Sequence, residues 1–164
     1  MLYAGLNNDR QYFTGPMTQE KYKGVIMKVG KSIHVQNCFG CSPHNPIGLK
    51  IGFEVNTDGV RGEFTSNKNH EGPPGFVHGG ILAAILDEAL SYIARSSMQD
   101  GIRTMKETIT FRNASSIGEK LEVIAHIKEE KSRAFVVTAK VLNHKGIVAE
   151  AEGTLLKVRE TVVE

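Results

Sequence analysis

The sequence predicts an α+β protein in which a curved antiparallel sheet wraps around one long helix. Three observations support this fold class. The run from His78 to Ala94 has the length of a helix and is apolar on nearly all sides, so most of its surface must be covered. Two strand-like segments precede this run and four follow it. The turns between neighbouring strands are short, and short turns permit only antiparallel connections.

The first 45 residues are predicted to form an arm and a turn-rich lead-in to the sheet. Their composition is mixed, and residues 17–29 have helix-like character with Thr18 as a candidate cap. The stretch "CFGCSPHNPIG" that follows is rich in turn-forming residues. We therefore place the boundary of the folded domain at residue 46.

The first two strands are predicted between residues 49 and 65. Apolar residues alternate with polar residues or glycine in "LKIGFEVN" (49–56), and this period of two is typical of a half-buried strand. The sequence "NTDGV" then supplies an Asp-Gly turn into a second strand, residues 60–65.

The long helix is predicted to begin near His78, because the preceding "PPG" forbids regular structure, and to end before Asp100 and Gly101. The rest of the chain reads as strands joined by the turn sequences "EEKSR" and "NHKG". These strands are residues 104–112, 120–130, 133–143 and 147–158. The predicted domain is 46–158, followed by a tail, 159–164.

Composition and charge exclude several functional classes. The net charge is +2, and the 20 basic residues form no block, so we expect no nucleic-acid partner. The chain has no signal-peptide pattern and no apolar run of membrane-spanning length, which predicts a cytoplasmic protein without membrane contact. Two cysteines are too few for a multi-bridge secreted scaffold.

An acidic pair, Asp87 and Glu88, interrupts the apolar helix. With about 100° between successive residues, Asp87 shares a face with mostly small residues, and we expect its carboxylate to point into a narrow space. Glu88 is expected on the solvent side. A structural alternative for Asp87 is a solvated helix edge or an ion pair with Arg95 or a lysine from a strand.

The start of the helix, "VHGG", carries two glycines where they weaken the helix unless close approach is required. The N–H groups of a first helical turn have no partner within the helix and attract anions. Gly79 N–H could therefore stabilise the oxyanion of a carbonyl under attack, with Gly80 leaving room for the substrate. Tight packing of the helix against the sheet is the structural alternative.

The spacing of His78 and Asp87 predicts a homodimer if these two residues act on the same substrate group. Nine residues correspond to about 13 Å along a helix and about half a turn out of phase. One chain cannot bring both to a small reacting group. A two-fold dimer can, because one self-complementary interface creates two equal composite sites.

At these residues the sequence resembles the hotdog-fold acyl-CoA thioesterases of the phenylacetic-acid-pathway (PaaI) type. The matching stretches are "GPPGFVHGGILAAILDEALS", "CFGCSPHNPIGL" and "TMKETITFRNAS". The resemblance implies a hotdog fold, dimers or pairs of dimers, and hydrolysis of an acyl-CoA to a free acid and coenzyme A without a cofactor. It also implies a general base or nucleophile at Asp87, carbonyl polarisation by Gly79, orientation of water by Thr104 and a supporting role for His78.

Two further groups of residues have weaker assignments. Lys131 and Arg133 lie in a turn where family members often carry basic residues, and we expect them to hold the phosphates of coenzyme A, although both could be ordinary surface charges. Four residues with metal-ligand chemistry fall within eleven positions, but we favour a structural role for them and predict no metal site. They are His34, Cys38, Cys41 and His44.

Other readings of the sequence stay open. One is a hydratase or dehydratase acting on an acyl thioester, a chemistry that usually needs a catalytic histidine paired with an acid. The other is a dimer that binds acyl-CoA without catalysis.

Overall fold

The computed structural model describes residues 37–97 and 101–158. The predicted helix at 17–29, His34 and the tail 159–164 lie outside these residues. Within them the chain forms six strands, one α-helix and a single turn of 3-10 helix, Lys68–His70. The elements are β1 (Phe53–Asn56), β2 (Gly59–Thr65), α1 (Gly79–Ser96), β3 (Gly101–Phe111), β4 (Lys120–Glu130), β5 (Ala134–Asn143) and β6 (Gly146–Val158).

The six strands form one antiparallel sheet in the order β1-β2-β4-β5-β6-β3. Helix α1 connects β2 to β3 and packs against all six strands. The main core lies between the helix and the sheet, where Ile85, Leu90 and Leu155 are fully buried. The predicted α+β arrangement of one long helix against an antiparallel sheet is therefore confirmed.

The first strand is shorter than predicted and begins at Phe53 rather than at residue 49. Leu49 and Ile51 are buried as expected, but their N–H groups donate to Phe39 O and Gly40 O, at 2.7 and 2.9 Å. Lys50 between them has φ 57°, outside the strand region. The alternating pattern thus arises from a loop segment that crosses the core.

Strand β3 contains a β-bulge. Its pairing with β6 runs from Thr104↔Leu155 to Lys106↔Thr154, so Met105 has no partner and the alternation of faces is reset. Residues 104 and 107 would point to opposite faces of a regular strand. After the bulge both face the helix, because their partners on β6 do.

The same strand forms one edge of the sheet. Among the described residues, no strand pairs with its outer side, although β3 is eleven residues long. Met105 and Phe111 on this strand are more than half exposed, at 59% and 53%. A long, open edge with exposed apolar side chains is a ready surface for strand addition.

No helix among residues 37–97 and 101–158 has the length and apolar character needed to cross a membrane.

Candidate active site

The start of α1 is built around His78. This residue is the N-cap, and its Nδ1 accepts a hydrogen bond from Gly80 N–H at 2.8 Å, so the neutral ring carries its proton on Nε2. An added Cβ on Gly80 would lie 3.0 Å from His78 Nδ1, which is a tight contact. His78 therefore satisfies one N–H group of the first helical turn, that of Gly80. Among the described residues nothing accepts from Gly79 N–H, which stays available to a ligand.

Asp87 lies further along the same helix, beside the bulge of β3. The Thr104 hydroxyl donates to Asp87 Oδ1 at 2.8 Å. Ser91 Oγ lies 3.3 Å from Thr104 Oγ1, and since the threonine proton goes to Asp87, Ser91 is the donor in this contact. One carboxylate oxygen is thus fixed, while Asp87 Oδ2 has no partner among the described residues. Arg95, the alternative partner considered for Asp87, does not pair with it.

The helix between these two groups is regular from Gly79 to Ser96. Gly79 N–H and the Asp87 carboxylate therefore stand roughly 12 Å apart along the axis of one chain. Asp87, Thr104 and Ser91 therefore lie together, whereas the HGG segment (His78 to Gly80) of the same chain lies apart from them.

A second carboxyl group, Glu107, lies near Asp87 and was not identified from the sequence. It is opposite Gly153 on β6, where an added Cβ would meet Leu90 of the helix, so its side chain points toward α1. Burial, followed by the negative charge of Asp87, raises the pKa of Glu107 to about 7. Strand alternation from Thr104 would place Glu107 on the opposite face, and only the bulge turns it toward the helix.

The prediction that Glu88 faces solvent is wrong. Glu88 is 8% exposed and accepts from Arg95 at 2.9 Å, while its other oxygen accepts from the Cys38 thiol at 3.6 Å. Cys38 and Gly40, in the turn-rich loop before residue 42, lie against Glu88, and that loop has no hydrophobic periodicity that would predict the contact. The acidic pair is therefore divided between two surroundings, with Asp87 at the sheet edge and Glu88 under the loop.

The loop brings two thiols to Glu88. Cys41 Sγ lies 3.2 Å from Cys38 Sγ, and both cysteines are free thiols. Burial, the Cys38 thiol and the Glu88 charge raise the pKa of Cys41 well above its ordinary range. The donor atoms of Cys38, Cys41 and Glu88 lie within 4.8 Å of one another and could hold a metal ion by their chemistry. His44 is not part of this group, and the carboxylate is already neutralised by Arg95.

We predict that Gly40→Ala destabilises the fold through this loop. An added Cβ would lie 2.7 Å from Cγ and Cδ of Glu88, a side chain held on both sides and unable to move away freely. Overpacking of this kind lowers the free energy of unfolding by about 1–3 kcal/mol.

Gly52→Ala is the matched control for Gly40→Ala, because nothing lies within 4 Å of its added Cβ. We expect it to change stability by no more than about 0.5 kcal/mol. Chemical denaturation of both variants tests the prediction, and equal stability of the two would contradict it.

Lys131 and Arg133 lie in the β4–β5 turn and are exposed, with Lys131 Nζ 3.5 Å from Glu129. Phe135, directly after this turn, pairs with Leu155, which in turn pairs with Thr104. The turn is therefore at the same end of the sheet as Thr104, two strand spacings or roughly 10 Å across. Neither basic residue contacts Asp87 or Thr104 within the described chain.

Comparison with known proteins agrees with this architecture. Residues 74–150 match the family model of the thioesterase superfamily. Acyl-coenzyme A thioesterase THEM4 of Xenopus laevis is 25% identical over 89 residues, which are 54% of this chain and 40% of that protein. The match thus spans less than half the length of this relative.

Solved structures give the fold. The phenylacetic acid degradation-related protein of Ralstonia eutropha JMP134 superposes with a TM-score of 0.64 at 19% identity, covering 71% of this chain and 92% of that one. The E. coli PaaI protein superposes with a TM-score of 0.62 at 21% identity, covering 69% and 83%. The chain is therefore a hotdog-fold protein whose long helix and following strands match the thioesterase superfamily.

Proposed function

We propose that the protein is an acyl-CoA thioesterase that hydrolyses its substrate to a free carboxylic acid and coenzyme A. The observation that carries the proposal is that the Thr104 hydroxyl fixes one oxygen of Asp87 at an exposed sheet edge, while no described residue binds Asp87 Oδ2. A carboxylate held in this way is oriented to take a proton from water or to attack a carbonyl. The thioesterase match over residues 74–150 supports the same reaction class.

The active site is proposed to be composite, with the second half supplied by another copy of the chain. Gly79 N–H has no partner within residues 37–97 and 101–158, but it is too far from Asp87 of its own helix to act on the same thioester. The open edge of β3 next to Asp87, with Met105 and Phe111 exposed, is where we place the second subunit. The partner's helix start would then bind the thioester oxygen. The assembly is a homodimer or a pair of dimers.

In this mechanism the helix start polarises the thioester carbonyl. As the carbon becomes tetrahedral, its oxygen gains negative charge, which an N–H at the positive end of a helix stabilises. His78 supports this site by fixing the first turn through Gly80. Asp87 takes a proton from a water molecule that attacks the carbonyl carbon, or Asp87 attacks this carbon itself and forms an anhydride that water then hydrolyses.

Coenzyme A is proposed to bind across the β4–β5 turn. Its phosphates carry charge that Lys131 and Arg133 can neutralise, and both side chains are exposed at the end of the sheet where Thr104 lies. The acyl group would then run along the helix and the apolar strand faces.

A panel of short, medium, long and aromatic acyl-CoAs, assayed for released thiol, tests the proposed function. We expect thiol release with at least one member of the panel. Enoyl-CoAs belong in the same panel, because a change in double-bond absorbance without thiol release would replace the proposal by a hydratase or dehydratase. Tight acyl-CoA binding with no turnover would replace it by a non-catalytic binding protein.

A further inference from the structure

Glu107 Oε1 is the one buried side-chain oxygen or nitrogen, among residues 37–97 and 101–158, that has no hydrogen-bond partner. An unpaired buried carboxylate oxygen loses its hydration without replacement and destabilises the fold. Since leucine would avoid this penalty, the position of Glu107 calls for an explanation in function.

The backbone places this carboxyl group beside the candidate active site. The bulge at Met105 turns Glu107 and Thr104 to the same face of β3, and Thr104 binds Asp87 directly. Without the bulge Glu107 would point away from the helix. A local irregularity of the strand therefore brings a second carboxyl group to the first.

The surroundings of the two carboxyl groups differ. The Thr104 hydroxyl donates a hydrogen bond to Asp87, whereas Glu107 has a buried oxygen that receives no hydrogen bond from the described residues. Asp87 is the titratable group of α1 that acts on Glu107. The facing position on β6 is Gly153, and Ile109, the next helix-facing residue of β3, is apolar. The pair thus combines a carboxyl group held as a hydrogen-bond acceptor, Asp87, with one whose pKa burial raises to about 7, Glu107, and paired carboxyl groups in different surroundings typically take acid and base roles.

We propose that Glu107 is the proton donor to the leaving thiolate, acting as the acid partner of Asp87. This inference rests on the proposed thioesterase function. Asp87 takes a proton from water as the water oxygen bonds to the thioester carbon. The C–S bond then breaks, its electron pair stays on sulfur, and Glu107 supplies the proton that makes the free thiol. The proton held by Asp87 then passes to the deprotonated Glu107 and restores the starting state.

Glu107→Gln tests the proposal, since glutamine keeps the shape but cannot donate an acidic proton. With an acyl-CoA we expect kcat to fall about 100-fold at pH 6. In the wild type kcat should decrease as the pH rises through about 7, because the donor is lost, and this limb should be absent from the variant. Glu54→Gln is the control, because Glu54 is exposed on β1.

The choice of leaving group separates proton donation from a structural role. Thiophenol is a much stronger acid than the thiol of coenzyme A, so its thiolate leaves without a proton. Glu107→Gln should therefore lower kcat for hydrolysis of the phenyl thioester of the same acid less than about 10-fold. Equal slowing of both thioesters, an unchanged pH profile, or a variant as active as the wild type would each overturn the proposal.

A titration that needs no substrate distinguishes this inference from the proposed function. In protein with carbon-13-labelled glutamate side chains, the signal lost in Glu107→Gln should titrate near pH 7 and at lower pH in Asp87→Asn, where the neighbouring charge is removed. Titration in the ordinary glutamate range would overturn the pairing even in an active enzyme. If the wild type releases no thiol while this titration is as expected, the thioesterase function fails and the carboxyl pair stands.

Discussion

Asp87→Asn is expected to lower kcat for acyl-CoA hydrolysis at least about 100-fold, the scale for loss of a positioned base. Asparagine can still accept the hydrogen bond from Thr104, so the site keeps its shape and loses only the group that takes the proton or attacks. Thiol release measured with the best substrate of the panel gives the result. Circular dichroism and gel filtration should show a fold and assembly like those of the wild type.

Asp58→Asn is the matched control, because Asp58 lies exposed in the β1–β2 turn and the same atoms are exchanged. Its kcat should equal that of the wild type. An Asp87→Asn enzyme with wild-type turnover would remove Asp87 from the mechanism.

Gly79→Pro is expected to lower kcat about 100- to 1,000-fold by deleting one N–H group. Proline suits this position because Gly79 is the first helical residue after the N-cap, where an N–H is unpaired and proline is well tolerated. His78 has φ −64° and ψ 136°, which a residue before proline prefers. Gly79→Ala is the control, because it keeps the N–H and its Cβ would lie 3.7 Å from Phe111, an ordinary contact.

Mixed dimers of the two inactive variants test whether the site is shared. If Asp87 of one subunit works with Gly79 of the other, a dimer of Asp87→Asn with Gly79→Pro has one intact site and one doubly damaged site. Mixed dimers isolated through two different affinity tags should then recover half of the wild-type activity. Mixed dimers as inactive as their parents would refute the composite site.

The strands and the helix were largely predictable because hydrophobic periodicity follows from their packing. The predicted bounds of β4 agree with the structure, and those of β5, β6 and the start of α1 differ by one residue. Strand β3 begins three residues earlier than predicted, at Gly101. Periodicity failed at residues 49–52, where an apolar loop crosses the core with the same alternation as a strand.

The candidate site was predictable only in part. Asp87 and the HGG segment stand out because each breaks a rule of helix composition. Glu107 could not be found in the same way, because the bulge that turns it inward depends on pairing between β3 and β6. The burial of Glu88 could not be foreseen either, since the residues that cover it, Cys38 and Gly40, belong to a turn-rich loop without periodicity.

The open edge of β3 also has a consequence for biosynthesis. A newly folded subunit that has not yet assembled exposes the unpaired outer side of this eleven-residue strand, with Met105 and Phe111 alongside, to any other extended chain. In the proposed assembly, subunit concentration therefore governs how long each chain stays vulnerable to aggregation. When the protein is overproduced, we expect a larger soluble fraction under conditions in which the subunits assemble quickly.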